Sequence, residues 1–241
     1  MISVPSLYLR GSAAFGSDPV FNGIEFNAVA GQWTCLLGSS GVGKTTVLKL
    51  FAGLGDQVKF SGELGASDGP LGGRVAMMAQ SDLLLPWLTV SQNIALGTTL
   101  RGETSDQSQL TEVLHRVGLS NKALSKPSQL SGGQRQRVAL ARTLVEDRPV
   151  VLLDEPFSAL DAKTRAQMQE LAAELLAGRT VLLVTHDPAE AARLGHVIKV
   201  MTQDRIENVE PPVGVVPRPF DDEDVLRVQA ALLSKLREEG Q

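Results

Sequence analysis

Residues 38–46, GSSGVGKTT, bring glycines, a lysine and two threonines together in a pattern that suits phosphate binding. Glycines let successive backbone N–H groups curve around a phosphate. The ammonium of Lys44 could reach the β- and γ-phosphates of a nucleotide, and the hydroxyl of Thr45 could ligate Mg²⁺. The segment fits the pattern G-x-x-x-x-G-K-[ST], which has this meaning when a strand precedes it and a helix follows. Otherwise it would be a glycine-rich turn beside an ordinary surface lysine.

Two carboxylates end an apolar run further along the chain, in the segment VVLLDE (150–155). Asp154 could reach the Mg²⁺ through water, and Glu155 could polarise a water for in-line attack on a γ-phosphate. Alone, the pair could equally be a polar strand end. With a phosphate-binding motif upstream, it indicates nucleotide hydrolysis.

A second glycine-containing turn lies in QLSGGQRQRVALAR (129–142). Gly132 and Gly133 would weaken a helix interior, so we expect them at a helix start. Backbone N–H groups at that position lack partners within the helix and can anchor a phosphate. The turn holds no lysine of its own, which leaves open whose phosphate it would bind.

The elements that must position these residues follow from apolar runs that alternate with helical segments. Continuous apolar strands separated by helices predict a mainly parallel sheet covered on both faces, so the fold class is α/β. The predicted strands cover residues 33–38, 73–80, 150–155, 180–187 and 196–201, and the predicted helices residues 44–54, 164–177 and 188–195.

The remaining segments have different patterns. Residues 81–128 have a mostly helical pattern that polar residues interrupt at 101–109. Residues 210–220 contain four prolines and are predicted to form a connector. The following segment, DDEDVLRVQAALLSKLREE, predicts an amphipathic helix that Asp221 or Asp222 can cap. Its mixed, largely acidic polar face favours packing on the body over binding to a membrane surface. Its apolar stripe consists of Val225, Val228, Leu232 and Leu236.

Composition excludes several function classes. Aromatic residues make up 4% of the 241 residues and the formal net charge is −4, which argues against a stacking platform or a general footprint for nucleic acid. The one cysteine, Cys35, lies in an apolar run and is expected to be inert core in a reducing compartment. Neither a signal peptide nor a membrane-spanning segment is predicted.

Six motifs in order make the chain resemble the ATPase subunits of ATP-binding cassette (ABC) transporters over about residues 3–205. The resemblance implies a P-loop NTPase core with flanking helices, an antiparallel N-terminal β subdomain and a helical subdomain inserted at about 81–145. An ABC ATPase domain would then span residues 1–209, and the proline-rich connector and amphipathic helix residues 210–241. The motifs are the Walker A loop (38–45), Gln80, LSGGQ (130–134), VVLLDE (150–155), SALD (158–161) and VTHD (184–187).

The resemblance assigns roles by position. Gln80 would touch Mg²⁺ and the attacking water, and His186 would contact the γ-phosphate and help organise Glu155. Thr45, Gln80 and Asp154 would be the metal ligands, while His115 and His196 match no motif. The ATP-binding loop would comprise Gly38, Ser39, Ser40, Gly41, Val42, Gly43, Lys44, Thr45 and Thr46, and the segment crossing the dimer seam Ser158, Ala159, Leu160 and Asp161.

Adenine in this family usually stacks on an aromatic side chain upstream of the Walker A loop. Phe15 falls at that position, and Tyr8 is the competing candidate. Stacking requires a flat apolar face rather than a hydroxyl, so Phe15 is preferred although many relatives have tyrosine there.

The resemblance also answers the question raised by LSGGQ. In this family the motif binds the γ-phosphate of ATP held by the Walker A loop of another subunit, so Lys44 of that subunit supplies the missing lysine. A head-to-tail dimer with two composite sites follows, and a homodimer is the simplest arrangement. The residues acting across the dimer would be Ser131, Gly132, Gly133 and Gln134.

The motifs say less about which process the hydrolysis of ATP drives. The segment SDLLLPWLTVSQNIALG resembles importer cassettes, and LLPWLTV within it resembles the nitrate/sulfonate/taurine group. The run LLVTHDPAEAARLGHVIKVM, with the later PRPFDDED, resembles cassettes in that group for uptake of thiamine pyrimidine precursors. This implies ATP and Mg²⁺ as cofactors, permease subunits, a solute-binding protein, no nucleic acid, and a peripheral location at the cytoplasmic face of the inner membrane. Trp87 and Leu83–Leu85 could be a coupling surface or subdomain core. An exporter or lipid-handling ATPase, or a non-transport cassette protein, are the alternatives.

Overall fold

The structure is a computed structural model that describes residues 3–238, and its chain divides into two compact units. The first takes in the described parts of residues 1–75, 148–155 and 177–241, and the second Ala76–Asp147 with Pro156–Leu176. The helical insertion was expected at about 81–145. The ends of the two segments predicted at 1–209 and 210–241, namely residues 1–2 and 239–241, lie outside the described residues.

A small antiparallel sheet begins the first unit. It consists of β1 (Leu7–Phe15), β2 (Asp18–Ala28) and β4 (Lys59–Ala66) in the order β2-β1-β4. Apolar side chains alternate with exposed ones along β1, as in a sheet with one face on the core. This sheet confirms the expected antiparallel N-terminal subdomain.

Five strands of a larger sheet belong to the first unit. They follow one another in the order β6-β7-β3-β8-β9, and all pairs are parallel except β8 with β9. Every residue of β3, β6 and β7 is buried, as expected for strands covered on both faces. The fold is therefore the predicted α/β type. The strands are β3 (Trp33–Leu37), β6 (Val150–Asp154), β7 (Thr180–Val184), β8 (Val197–Met201) and β9 (Ile206–Val209).

Three helices accompany these strands: α1 (Lys44–Phe51), α7 (Pro188–Leu194) and α8 (Glu223–Glu238). Helix α1 ends three residues before the predicted end because Gly53 adopts a positive φ of 70°. Helix α8 begins after Asp222, whose Oδ1 accepts hydrogen bonds from the N–H groups of Asp224 and Val225. Its stripe is buried at Val225, Val228 and Leu232, and the helix packs against α7.

The second unit is mainly helical. Strand β5 (Val75–Met78), shorter than the predicted 73–80, lies at its start. Helix α6 begins two residues earlier than predicted because Asp161 caps it through the N–H of Thr164 at 3.0 Å. Among residues 3–238, no helix is both long and apolar enough to cross a membrane. The helices are α2 (Val90–Ile94), α3 (Leu96–Leu100), α4 (Gln107–Arg116), α5 (Gly132–Leu144) and α6 (Ala162–Leu175).

Candidate functional site

Three neighbouring parallel strands deliver the predicted catalytic segments of the first unit to one edge of its sheet. The loop 38–43 follows β3, Asp154 ends β6 with Glu155 directly after it, and Thr185 and His186 follow β7. The carboxyl ends of parallel strands are where open α/β sheets bind ligands. The topology thus gathers residues that lie more than a hundred positions apart in the sequence.

The loop 38–43 requires glycine for its shape. Gly43 has a φ of 103°, and a Cβ atom there would lie 2.7 Å from a side-chain carbon of Val20 and 2.9 Å from one of Phe21. Gly41 has a φ of 87° and open space around its Cα. Since only glycine readily takes these angles, the curved backbone ahead of α1 is specified by the sequence and leaves room for a ligand.

Lys44, the first residue of α1, folds back over this loop. Its Nζ donates hydrogen bonds to the carbonyl oxygens of Gly38 at 2.7 Å and Ser39 at 2.8 Å. Burial lowers the pKa of Lys44, and the negative charges of Glu155 and Asp154 oppose that shift. The ammonium is therefore held beside the loop and facing two carboxylates, where it can attract an anionic ligand.

Asp154 and Thr45 contact each other at the carboxyl end of β6. Asp154 is buried at 2% exposure, and burial raises its pKa while a hydrogen bond from the Thr45 hydroxyl lowers it. A carboxylate and a hydroxyl next to a phosphate-binding loop form an oxygen-only donor set, which suits Mg²⁺. The two residues therefore fit the metal-binding role expected of them.

Glu155 and His186 form the second contact at this edge. Nδ1 of His186 lies 3.0 Å from Oε1 of Glu155, and because a carboxylate only accepts, the contact places the proton on Nδ1. Glu155 has a φ of 49°, and its N–H donates to the carbonyl of Val184 at 2.9 Å. A non-glycine residue in this region costs about 1–3 kcal/mol and is found mainly at functional sites.

Register distinguishes Phe15 from Tyr8, the two candidates for adenine stacking. They lie at opposite ends of β1, seven residues or roughly 23 Å apart along the strand. In the pairing of β1 with β2, Ala13 faces Phe21, which abuts Gly43 of the phosphate loop. Phe15 therefore lies at the end of β1 near the loop, with 43% of its surface exposed, whereas Tyr8 pairs with Asn27 at the far end.

The LSGGQ segment in the second unit forms the start of α5, as its glycines predict. Ser131 caps the helix: its Oγ accepts from the N–H of Gln134 at 3.2 Å, and the Gln134 side chain accepts from the N–H of Ser131 at 2.9 Å. Gly132 and Gly133 are the first two helical residues. Their N–H groups precede the first intrahelical bonds and so suit an anion.

Sequence reasoning missed Gln136, which fixes the segment 158–161 against α5. Gln136 is buried, and its Oε1 accepts from the N–H of Ala159 at 2.8 Å while its Nε2 donates to the hydroxyl of Ser158 at 3.3 Å. A Cβ on Gly133 would lie 3.2 Å from the carbonyl of Ala159. LSGGQ and SALD thus form one surface of the second unit. The sequence signal that could have identified Gln136 is a polar residue on a helix face that is otherwise apolar.

Gln80 lies in the second unit, exposed and two residues past β5. The segment after it has a defined shape because Asn93, fully buried, accepts from the N–H of Leu85 at 2.8 Å and donates to the carbonyl of Leu88 at 3.3 Å. Leu84 is buried, whereas Leu83 and Trp87 are 62% and 66% exposed. Leu83 and Trp87 therefore each lie on the surface, whereas Leu84 belongs to the core.

The two unmatched histidines and the cysteine have unremarkable surroundings. His115 is exposed, and Nδ1 of His196 accepts from the N–H of Trp33 at 3.1 Å. Cys35 is fully buried, which raises the pKa of its thiol. A protonated, buried thiol is inert, as the sequence suggested.

Comparisons with known proteins identify the family of the chain. A family model described as ABC transporter matches residues 21–158, which include the phosphate loop, LSGGQ and the carboxylates of Asp154 and Glu155. An uncharacterized ABC transporter ATP-binding protein of Haemophilus influenzae is 41% identical over 93% of this chain and 95% of its own length. The aliphatic sulfonates import ATP-binding protein SsuB 1 of Mesorhizobium japonicum is 40% identical, over 92% and 84%. Its counterpart SsuB 2 of Agrobacterium fabrum is 46% identical, over 80% and 74%.

Proposed function

The chain belongs to the ABC transporter family of ATP-binding proteins, and from this premise we propose that it drives an importer. Membership means that the chain binds and hydrolyses ATP in the service of transport. ATP hydrolysis is supported by the meeting of the phosphate loop, Asp154, Glu155 and His186 at the carboxyl ends of β3, β6 and β7. The assignment to an importer is supported by the relatives that are named for import.

We assign ATP binding to the loop and the start of α1. Backbone N–H groups of residues 39–46 surround the phosphates, and Lys44 exchanges its contacts with Gly38 and Ser39 for phosphate oxygens. Thr45 and Asp154 would hold Mg²⁺, which supplies charge neutralisation at the β- and γ-phosphates. For Gln80, which lies in the second unit, the role of metal ligand rests on the family resemblance alone.

Glu155 acts as the group that polarises the attacking water. The contact with His186 Nδ1 orients the Glu155 carboxylate, which can accept a hydrogen bond from water. His186, 60% exposed at its side chain, is free to turn its other nitrogen toward a γ-phosphate. The pair therefore couples the position of the water to the presence of the phosphate.

A Phe15→Ala variant tests where adenine binds. Loss of a stacked ring removes about 0.5–1.5 kcal/mol, so we expect the affinity for ATP to fall about 2- to 12-fold in a titration with a fluorescent ATP analogue. Tyr8→Ala is the matched control, because it removes an equally exposed ring from the other end of β1. A larger effect in Tyr8→Ala than in Phe15→Ala would reverse the assignment.

ATP completes its site with a second copy of the chain. The N–H groups of Gly132 and Gly133 and the hydroxyl of Ser131 donate to the γ-phosphate bound by the partner's loop, and SALD lies along the seam. The exposed start of α5 is compatible with this role. Contacts made only in the closed dimer would let ATP shift the population toward closure, and hydrolysis would reverse it.

Transport requires a membrane permease, and the surface of Leu83 and Trp87 is proposed to receive it. Both side chains are exposed in a segment whose backbone Asn93 fixes at Leu85, and exposed apolar patches tend to mark partner sites. The chain would then be a peripheral protein at the cytoplasmic face of the inner membrane. An acidic protein lacking a basic footprint has no expected nucleic-acid partner.

The cargo is proposed from the relatives. Several are named for import of aliphatic sulfonates, and they cover most of this chain. A small organic anion of that kind, delivered by a solute-binding protein, is the favoured cargo. A nitrate or a thiamine pyrimidine precursor remains the second candidate because of the motif likeness noted above.

Affinity purification tests the proposal. Tagged Glu155→Gln chain would be isolated from gently solubilised native membranes with Mg-ATP, and its partners identified by mass spectrometry. We expect a multi-span permease and a solute-binding protein. Recovery of an exporter permease would overturn the import assignment. Recovery of only non-membrane partners or nucleic acid would overturn the assignment to a transporter.

A further inference from the structure

Arg218, in the proline-rich segment 210–220, is not part of a simple connector. It is 4% exposed, and its Nη1 donates to the carbonyl oxygens of Ala192 and Gly195, both at 2.9 Å. These carbonyls belong to the carboxyl end of α7. A cation is favourable there because the end of a helix leaves carbonyls unpaired and carries a partial negative charge.

The same helix begins next to His186. Asp187 caps α7 through the N–H of Ala189 at 2.9 Å. The hydroxyl of Thr185 donates to Glu190 of α7 at 2.7 Å and accepts from the N–H of Asp187 at 3.0 Å. His186 is therefore held by a turn whose hydrogen bonds end on α7.

Helix α7 is too short to be stable without contacts to the rest of the unit. It has seven residues, and isolated helices of that length are unstable in water. Its place must come from packing and from its end contacts. Arg218 provides one of those end contacts, and the turn around His186 lies at the other end.

The grip on α7 is reciprocal. Arg193 of α7 donates from Nε to the carbonyl of Arg218 at 2.9 Å, and the N–H of Arg218 donates to the carbonyl of Arg193 at 3.0 Å. The guanidinium of Arg193 lies 3.7 Å from the ring centre of Phe220. Residues 218–220 thus clasp the carboxyl end of α7, and we call them the C-terminal clasp.

Packing alone does not account for an arginine in this place. Nε of Arg218 is buried without a hydrogen-bond partner among the described residues. Burying an unpaired polar atom destabilises a protein, so an apolar side chain would fill the space at lower cost. The retained charge instead matches the carbonyls at the end of α7.

We propose that Arg218 is a positioning residue for ATP hydrolysis that acts on His186 through α7. The inference rests on the proposed role of His186. Loosening the clasp lets α7 shift, and the turn of Thr185–Asp187 shifts with its amino end. His186 then spends less time in contact with Glu155, while the phosphate loop stays as it is, because the side-chain hydrogen bonds of Arg218 go to the end of α7.

Arg218→Gln in the full chain should lower kcat for ATP hydrolysis about 3- to 30-fold, the range of couplings carried by a packed element. KM for ATP should stay nearly constant. Arg218→Lys should recover much of the rate, because an ammonium can also donate to both carbonyls. Arg227→Gln, an exposed α8 position whose partner is Asp224, is the matched control and should keep the parent rate.

A double-mutant cycle with His186→Ala separates positioning from general damage. If Arg218 acts through His186, Arg218→Gln should have little further effect on the residual single-turnover rate of His186→Ala. An equal factor in both backgrounds would contradict the proposal. If Arg218→Gln hydrolyses ATP at the parent rate while His186→Ala is slower, only the role of Arg218 is refuted. If His186→Ala also hydrolyses ATP at the parent rate, the proposed function of His186 is refuted as well.

Two further measurements keep the test decisive. The side-chain NMR signal of His186 should shift or broaden in Arg218→Gln. The signal of His115, which lies far from Arg218 in the sequence, should not change. An unchanged His186 signal would count against the proposal. Should Arg218→Gln fail to fold, Phe220→Ala loosens the same clasp by removing a half-exposed ring. It should show a smaller loss of kcat that disappears in the His186→Ala background, and persistence of the loss there would contradict the proposal.

Discussion

Glu155→Gln should lower the rate of ATP hydrolysis by about 10²-fold or more, because a positioned general base contributes roughly 10²- to 10⁴-fold. The amide keeps the size of the side chain but cannot accept a proton from water. Its carbonyl can still accept from His186 Nδ1, so the geometry of the contact is retained. Affinity for ATP should not fall, since Glu155 is not among the residues that hold the phosphates.

The measurement is steady-state phosphate release together with a nucleotide titration. Glu210→Gln, an exposed change of the same kind in the same unit, is the control and should match the parent. A parent-like rate in Glu155→Gln would show that another group polarises the water. Loss of binding in that variant would instead place Glu155 in the phosphate contacts.

Lys44→Ala should weaken ATP binding about 10- to 100-fold, because a hydrogen bond to a charged group contributes roughly 1.5–3 kcal/mol. The ammonium now bonded to Gly38 and Ser39 is the fixed cation beside the loop. The desolvation that lowers the pKa of Lys44 opposes the stabilisation from its two hydrogen bonds. The free energy of unfolding without nucleotide should therefore change little.

Lys49→Ala provides the matched control for Lys44→Ala. Lys49 lies on the same helix but is exposed in the last turn of α1. Isothermal titration should give a parent-like affinity for this variant. Equal losses in both variants would mean that general positive charge, and not the position of Lys44, attracts the nucleotide.

Much of this site was visible in the sequence because its determinants are local. The turn 38–43 needs glycines at fixed positions, and an apolar strand ending in Asp154 and Glu155 is a contiguous signal. The α/β class followed from the same alternation of buried strands and helices. Here local preference and tertiary structure agree, which is the condition under which such predictions succeed.

Other features depend on contacts between distant positions, which the sequence alone does not show. The sequence already favoured Phe15 over Tyr8 by its position upstream of the phosphate loop, and the structural support comes from the register of β1 on β2 and the closeness of Phe21 to Gly43. Gln136 reaches Ala159 across 23 positions. A proline-rich segment predicted a connector, yet Arg218 inside it lies against the end of α7 because tertiary packing decides the position of a short helix.

The central claim is that the ATP site is split between two chains, and sedimentation of the Glu155→Gln chain tests it most directly. The mass in solution would be measured with and without Mg-ATP. The same measurement would be made on the double variant Glu155→Gln/Ser131→Arg, in which the second substitution places a bulky cation at the exposed start of α5. The account predicts a dimer for Glu155→Gln only with Mg-ATP, and a monomer that still binds ATP for Glu155→Gln/Ser131→Arg. An ATP-dependent dimer that survives Ser131→Arg, or a monomer under every condition, would contradict it.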